Sequence, residues 1–516
     1  MGNKREVSNL AILNIVGSVF SVLYSIMQVQ YFGATREVEI FFAASTLVYM
    51  VISLTQSGQL SEIFLPIYIN KKKMLGERAA FKASSVVLNW LILFTLLIGG
   101  IAWLGAEFLV ELIVPGFSQA DVDLAVNMFR VLAFYFVLEI VIALFITILN
   151  AEKVYGKTEA TKILNRTAAI LILIFFYKEI GVWVLVVSLW LSKIFQFSVL
   201  VYYLRKEIGF KYYMILYSED FKHKSFLKTA YNTFSYVLAT QGYNMVLTAS
   251  VSFLPEGTYA VFKYVQNLYA HVRSIILNPI NTVFFTEISN TVQLVKEKIT
   301  GELMNKYAYY SLLIVVFAFI CVCILGKEVL AVLWGNDKFG VEYLTKAHNL
   351  MMFNFIAFAF VSIGKLYRSL GLSLGYAKKI YSVWTITQLI SAALAWLLIK
   401  NIDFRGLILT VFLNSLFLSI VPLVVVLRYS IKLSINISLN NILKLIALLM
   451  LTSGAGWIVK SWIITGNLLS ERGILIIESL LVFTVMVSTF GLLSYVFRTT
   501  ESIDMSRFIL KKLRVR

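Results

Sequence analysis

The sequence predicts an all-α polytopic membrane protein with 14 transmembrane helices. Hydrophobic residues make up 59% of the 516 residues, charged residues only 14%, and the mean hydropathy is +0.82. This composition is typical of a chain that lies mostly in lipid. Apolar runs of about 20 residues recur along the chain, each long enough to cross roughly 30 Å of hydrocarbon as a helix. The runs lack the strict alternation of a membrane barrel, so helices are predicted.

The predicted spans follow one another along the whole chain. Each is an apolar run bounded by polar or basic residues. They cover residues 8–31, 38–69, 84–105, 127–149, 165–177, 182–204, 229–254, 259–290, 307–326, 346–366, 380–399, 407–427, 443–462 and 474–497. The second span is expected to break near Gly58, because glycine weakens a helix. The fifth span is short.

Basic residues are distributed unevenly between the two sides of the predicted membrane. The N-terminus, the loops that follow even-numbered spans and the C-terminal tail hold 33 of the 46 Lys and Arg residues, and the other loops hold 10. Cytoplasmic segments of membrane proteins carry the excess of Lys and Arg, so both termini are expected in the cytoplasm. Orientation accounts for the net charge of +18, and no nucleic-acid partner is expected. The basic tail can also contact anionic membrane lipids.

A constant offset of 221 residues relates two parts of the chain. The matched pairs are Phe32 with Phe253, Phe41 with Phe262, Leu109 with Leu330, Phe134 with Phe355, Leu149 with Leu370, Tyr155 with Tyr376 and Lys157 with Lys378. Because six helices cross the membrane an even number of times, both copies have one orientation and a pseudo-twofold axis along the membrane normal. The sequence therefore predicts an N-terminal lobe at residues 1–222, a C-terminal lobe at 223–440, two added helices at 441–497 and a basic tail at 498–516.

The eighth predicted span carries a stripe of polar residues. At 100° per residue, one face of the helix holds Lys263, Asn267, His271 and Ser274, with Arg273 at its edge. A charge in hydrocarbon costs several kcal/mol, so these cations are expected to line a water-filled cavity between the two lobes. Lys and Arg match the charge and geometry of phosphate, which favours an anionic substrate. In the alternative interpretation, the stripe joins helices and Lys263 reaches the membrane interface.

The first predicted span carries an uncharged stripe. Ser18 and Ser25 lie on one face of that helix, and Tyr24 borders them. Such hydroxyl groups either join neighbouring helices or line the same cavity as the stripe of the eighth span. We therefore include all three residues among the candidates for substrate binding.

Glu139 is the only acidic residue deep within a predicted span, and Lys193 lies at the centre of the sixth. The two residues either form a structural ion pair, or Glu139 couples transport to an ion or to the membrane potential. The sequence has no P-loop and no set of nucleophile, acid and base, so an enzyme is not predicted. Its three His residues have no ligand-like spacing, so neither a metal nor another cofactor is expected.

The stretch from Gln30 to Tyr68 resembles the start of the MurJ/MviN-type lipid II flippases, which belong to the superfamily of multidrug and polysaccharide exporters. The shared residues are Phe32–Gly33, Glu39, Phe41–Phe42, Gly58 and Phe64 with Pro66, followed by "VPGF" at 114–117 and "ILNA" at 148–151. The resemblance implies a fold of two six-helix lobes and two further helices that border a groove for the prenyl tail. It also implies a place in the cytoplasmic (inner) membrane.

The chain departs from that family at the cavity. The family has essential arginines where this sequence has Ser18, Tyr24, Ile52 and Asn267, and an acidic residue where it has Ser57. Lys263, His271 and Arg273 are expected to replace the lost charge. The resemblance then implies a flippase for a polyprenyl-diphosphate-linked saccharide, either a lipid II-like molecule or a surface-polysaccharide precursor. Two alternatives remain: an ion-coupled exporter of small organic molecules on the same fold, and a membrane scaffold that transports nothing.

Overall fold

A computed structural model describes residues 2–54, 60–217, 223–293, 297–429, 439–463 and 472–497. Within these ranges the chain forms sixteen helices and no strand, which confirms the all-α prediction. The helices are α1 Gly2–Phe32, α2 Arg36–Leu54, α3 Leu60–Leu75, α4 Glu77–Leu104, α5 Ala106–Ile113, α6 Gln119–Leu132, α7 Tyr135–Ala151, α8 Tyr155–Ile180, α9 Trp183–Ile208, α10 His223–Val251, α11 Thr258–Gln293, α12 Glu297–Trp334, α13 Val341–Ser373, α14 Ala377–Tyr429, α15 Leu439–Ile463 and α16 Arg472–Val496.

Within the described residues each of the predicted spans falls on helix, but several differ in detail. The second span corresponds to α2 and α3, and the expected break near Gly58 lies outside the described residues. The fourth corresponds to α6 and α7, which meet at a bend of 41°. The fifth is not short, because α8 runs for 26 residues from Tyr155 to Ile180. The basic tail at 498–516 and Ser57 also lie outside the described residues.

The eleventh and twelfth predicted spans form a single stretch of helix, α14, of 53 residues. A straight helix of that length would measure about 80 Å, far more than one membrane crossing needs. Its backbone leaves the helical region at Ile402 and Asp403, and Asp403 has a φ of 48°. This interruption lies between the two predicted spans.

By length and apolarity, nine helices of the described ranges can cross a membrane, or ten if α6 and α7 together form one span. The nine include α14 as one helix. The protein is thus a multi-pass membrane protein, and the number of 14 crossings stays a prediction.

The chain divides into two compact units, and the division falls within α11 and within α14. The first unit comprises Met1–Asn267 and Gln388–Gly406. One of its apolar cores lies where α3, α4, α7 and α9 meet, around the buried side chains of Phe64, Phe81 and Ile148. The predicted lobe boundaries at residues 222 and 440 remain a prediction.

The second unit comprises Leu268–Thr387 and Leu407–Arg516. One of its cores is formed by α11, α12, α13 and α14 around Phe284 and Leu366. Another joins α12 to α16 through Ile320 and Met486. An ion pair of 2.7 Å between Lys460 Nζ and the buried Glu328 Oε1 ties α15 to α12. Both C-terminal helices are therefore packed against the rest of this unit.

Glycine permits a close helix crossing in the second unit, which gives a testable effect on stability. A Cβ atom at Gly364 of α13 would lie 2.6 Å from Ser419 Cα and 2.7 Å from its carbonyl oxygen, whereas one at Gly454 of α15 would meet nothing within 4 Å. We expect Gly364→Ala to destabilise the protein by about 1–3 kcal/mol through overpacking. Gly454→Ala should be neutral or stabilising, by up to about 1 kcal/mol. Thermal unfolding in detergent measures both, and equal melting temperatures would contradict the close crossing.

Candidate functional site

Lys263 lies in the part of α11 that belongs to the first unit, and it is half-buried. Its Nζ donates a hydrogen bond of 2.7 Å to Thr46 Oγ1 of α2 and lies 5.2 Å from the ring centroid of Tyr259. None of the ion pairs among the described residues includes Lys263. A hydroxyl group and an aromatic face solvate the ammonium group without neutralising it. Its positive charge therefore remains available to an anion.

Carboxylates hold the start of α11 and the start of α2. Glu39 is 1% exposed, and its Oε1 accepts hydrogen bonds from the backbone N–H groups of Tyr259 (2.9 Å) and Ala260 (3.3 Å). The other oxygen of Glu39 forms an ion pair of 2.9 Å with Arg36. In turn, Glu256 accepts a hydrogen bond of 2.8 Å from the backbone N–H of Arg36. Negative charge at a helix N-terminus is stabilising, so these contacts fix the turn of α11 that carries Lys263.

The C-terminal part of the polar stripe lies in the second unit and contacts α13. Asn278 Nδ2 donates to Ser274 Oγ at 2.7 Å, and Lys365 Nζ donates to Asn278 Oδ1 at 2.8 Å. One turn further on, Ser369 Oγ donates to Asn281 Oδ1 at 2.9 Å. Polar residues thus join α11 to α13, as the alternative interpretation expects, and they also bring a further cation to the stripe.

Arg273 is exposed, and its guanidinium lies 5.5 Å from the ring centroid of Tyr269. Within the same unit, Arg273 and Arg368 are both within electrostatic range of Lys365. Arg368 stacks at 5.3 Å on the ring of Trp384. The second unit therefore has a cluster of three cations. Of the other candidates on α11, Asn267 is exposed and His271 is half-buried.

The tenth span was predicted to end at residue 366, so Lys365 fell at its margin and Arg368 outside it. The helix continues to Ser373 and is followed by Gly375 with a φ of +80°. Glycine in this conformation is a common helix terminator. The glycine that follows Leu374 is therefore the signal that could have located the end of the helix and placed both cations within it.

The three candidates on the first helix, Tyr24, Ser18 and Ser25, make different contacts. Tyr24 is buried, and its hydroxyl lies 2.9 Å from Ser188 Oγ of α9. Ser18 donates to the backbone carbonyl of Asn14 in its own helix at 2.9 Å. The Ser25 hydroxyl is buried and has no hydrogen-bond partner among the described residues. Tyr24 thus joins α1 to α9, and the role of the two serines in binding stays a prediction.

Glu139 and Lys193 form the ion pair that was one of the two sequence interpretations. Lys193 Nζ lies 2.7 Å from Glu139 Oε1, and the side chains are 16% and 20% exposed. The Tyr135 hydroxyl donates to the same carboxylate oxygen at 2.7 Å. Arg166 of α8, which lies at the predicted start of the fifth span, is within electrostatic range of Lys193. The first unit therefore has a buried polar cluster with two cations and one carboxylate.

Long apolar helices that carry Lys and Arg residues along their membrane-spanning lengths place the protein in the class of multi-pass membrane transporters. A family model described as "Lipid II flippase MurJ" matches residues 28–472. The chain belongs to this family, which confirms the resemblance found in the sequence. A probable lipid II flippase MurJ of Rickettsia prowazekii (strain Madrid E) is 24% identical over 283 residues, which are 54% of this chain and 55% of the relative. The match thus spans about half the length of that relative.

Solved structures share the fold. A lipid II flippase MurJ in an inward closed conformation has a TM-score of 0.72 at 18% identity and covers 93% of this chain and 98% of its own. An inward-facing multidrug resistance MATE transporter has a TM-score of 0.63 at 16% identity, covering 83% and 100%. A MOP superfamily transporter from Pyrococcus furiosus has a TM-score of 0.56 at 15% identity, covering 82% and 94%. These likenesses define the fold of the chain.

Proposed function

We propose that the protein is a flippase that moves a polyprenyl-diphosphate-linked saccharide from the cytoplasmic to the outer leaflet. The observation that carries this proposal is the set of cations on α11 and α13 that no carboxylate neutralises among the described residues, above all Lys263 and Arg273. A diphosphate supplies the negative charge that such groups lack. The chain belongs to a family whose model is described as a lipid II flippase, and this supports a lipid-linked diphosphate as the substrate.

The proposed mechanism is alternating access. The diphosphate and the saccharide enter a polar cleft, where contacts with Lys and Arg are stronger than in water because the dielectric constant is lower. The prenyl tail stays in lipid throughout, so only the polar head must be carried. Rocking of the two lobes then exposes the head to the other leaflet. The residues proposed to bind the head are Lys263, Asn267, His271, Arg273, Ser274, Ser18, Tyr24 and Ser25.

Energy for the transport cycle is proposed to come from a coupling ion or from the membrane potential, with Glu139 as the coupling residue. Its carboxylate is held by Lys193 and Tyr135, so it changes partners if Lys193 is drawn away. A charged acid among membrane helices is costly, so its presence there suggests a function.

Export of small organic cations on the same fold is the competing function, because MATE transporters are among the structural neighbours. Such substrates require unpaired carboxylates. Two acids among the membrane helices argue against it, because Glu39 is bound to Arg36 and Glu139 to Lys193. A cationic substrate would also be repelled by the three cations of the second unit.

The function is tested by reconstitution in proteoliposomes. The wild-type protein should move a fluorescent polyprenyl-diphosphate disaccharide between leaflets faster than protein-free vesicles do. The same rate with and without protein would overturn the proposal and favour the scaffold interpretation. Replacement of the diphosphate by a neutral lipid-linked sugar should abolish the effect, because the proposed binding depends on charge.

Both termini are proposed to lie in the cytoplasm, on the inner side of the cytoplasmic membrane. The test uses single cysteines in a variant in which Cys321 and Cys323 are replaced by serine. Asp337→Cys, in the exposed turn after α12, should react with an impermeant maleimide in intact cells. Met74→Cys, whose native side chain is 74% exposed, should react only after the cells are opened. The reverse pattern would overturn the orientation.

A further inference from the structure

Arg166 is a membrane-helix cation that the proposed function has not yet used. It lies eleven residues after the start of α8, about 17 Å along a helix of 26 residues. It is half-buried, and none of the ion pairs among the described residues includes it. A charge at such a position costs several kcal/mol unless a partner or water stabilises it. Its presence therefore calls for an anionic or hydrated environment.

The surroundings of Arg166 are polar side chains from four other helices of the first unit. Tyr24 of α1, Tyr49 of α2, Tyr135 of α7 and Lys193 of α9 are all within electrostatic range of its guanidinium. Although Tyr49 has these neighbours on several sides, 47% of its surface is exposed. A residue enclosed by other helices and still this exposed borders an open space, not a packed core. Arg166 and Tyr49 thus border a polar recess within the first unit, and the buried side chains of Tyr24 and Tyr135 lie near it.

Charge in this recess is not balanced. Arg166 and Lys193 are positive, and Glu139 is the one carboxylate in contact with either of them among the described residues. Glu139 Oε1 already accepts from both Lys193 Nζ and the Tyr135 hydroxyl, each at 2.7 Å. The net charge of Arg166, Lys193 and Glu139 is therefore +1. Arg166 carries the uncompensated part.

We propose that Arg166 and Lys193, with the hydroxyl group of Tyr49, form a phosphate-binding subsite in the first unit. Arg offers a planar fork of N–H donors that matches two phosphate oxygens, Lys adds a point charge, and tyrosine hydroxyls donate hydrogen bonds. This inference rests on the proposed function for the identity of its ligand, a diphosphate ester. It adds a second cationic centre to the one on α11 and α13.

Glu139 acts in this subsite as an internal counterion. Without substrate it holds Lys193, as the structure shows. When a phosphate binds, Lys193 turns to the phosphate and Glu139 keeps only the hydrogen bond from Tyr135. When Glu139 recovers Lys193, the bound phosphate loses a contact and is released. The ion pair thus limits the affinity of the subsite and speeds release.

Binding of farnesyl diphosphate to the purified protein in detergent, followed by fluorescence, tests the subsite. Arg166→Ala should weaken binding at least about tenfold, and Arg166→Lys should restore part of the loss, because lysine keeps the charge but not the fork. Glu139→Gln should tighten binding several-fold, because the competitor for Lys193 is gone. The control is Arg405→Ala in the same unit, whose native side chain is exposed and which should bind as the wild type does.

Wild-type affinity in Arg166→Ala, or no binding of farnesyl diphosphate by the wild type, would overturn the subsite. If Arg166→Ala does not fold, Arg166→Lys and Glu139→Gln decide, and unchanged affinity in both would also overturn it. Flipping of the polyprenyl-diphosphate disaccharide separates this inference from the proposed function. Normal flipping by Arg166→Ala would overturn the subsite and leave the proposed function intact. If the wild type binds inorganic pyrophosphate through Arg166 but does not flip the lipid, the subsite stands and the proposed function is overturned.

Discussion

Replacing both Lys263 and Arg273 with alanine is expected to weaken binding of a polyprenyl-diphosphate glycan by about 100-fold. Each single variant should lose at least about tenfold, or about 1.4 kcal/mol, and two independent losses add. The reason is that Lys263 contacts Thr46 and Tyr259, Arg273 contacts Tyr269, and neither cation forms an ion pair among the described residues. Both cations are free to contact phosphate. Arg273→Lys should restore only part of the affinity, because lysine lacks the bidentate fork.

Binding and flipping in proteoliposomes with matched amounts of protein measure this loss. Lys346→Ala is a suitable control, because Lys346 forms an i,i+4 pair with the largely exposed Glu342, and such pairs contribute little. Normal binding and flipping by the double variant would rule out a cationic wall on α11.

Glu139→Gln is expected to lower the rate of flipping at least about tenfold while expression and folding remain close to normal, a change of about 1.4 kcal/mol in the barrier. Glutamine keeps the size of the side chain and its ability to accept from Tyr135, but it no longer competes for Lys193. The substrate should then bind more tightly and leave more slowly. The effect on flipping is therefore expected to be opposite in sign to the effect on binding.

Glu342→Gln serves as the matched control, since that carboxylate is 77% exposed and should not affect transport. Two results would contradict a role of Glu139 in the cycle. A normal flipping rate would show that the charge is not needed, and failure of Glu139→Gln to fold would assign the ion pair with Lys193 to structure alone.

Hydropathy predicted the positions of the long apolar helices because membrane burial requires long apolar runs, but it did not predict the short helix α5. It misplaced helix ends wherever polar residues extend a helix beyond the apolar run. The fifth span was predicted to begin at residue 165, whereas α8 begins at Tyr155, so Arg166 was placed at the margin of the span although it lies eleven residues inside the helix. The same cause placed Lys365 at the margin of the tenth span and Arg368 outside it. Averaged hydropathy does not detect such helix ends, because a few charged residues lower the mean hydropathy even where the backbone stays helical.

The candidate site was predicted only in part, because helical periodicity gives the face of a residue and not its neighbours. The stripe from Lys263 to Ser274 could be placed on one side of α11 from sequence alone. The contact of Lys263 with Thr46 joins residues 217 positions apart, and periodicity contains no information about it. For Glu139 and Lys193 both interpretations were open; the tertiary contact of 2.7 Å shows the pair, and a role of Glu139 in coupling stays a proposal.

Competition between an anionic and a cationic ligand tests the central claim most directly. The purified wild-type protein is titrated with a polyprenyl-diphosphate disaccharide and, separately, with the lipophilic cation tetraphenylphosphonium. We expect the diphosphate lipid to bind, inorganic pyrophosphate to compete with it, and high salt to weaken it, since the attraction is electrostatic. Tetraphenylphosphonium should neither bind nor compete. Saturable binding of the cation without binding of the diphosphate lipid would contradict the account and assign the protein to the exporters of organic cations.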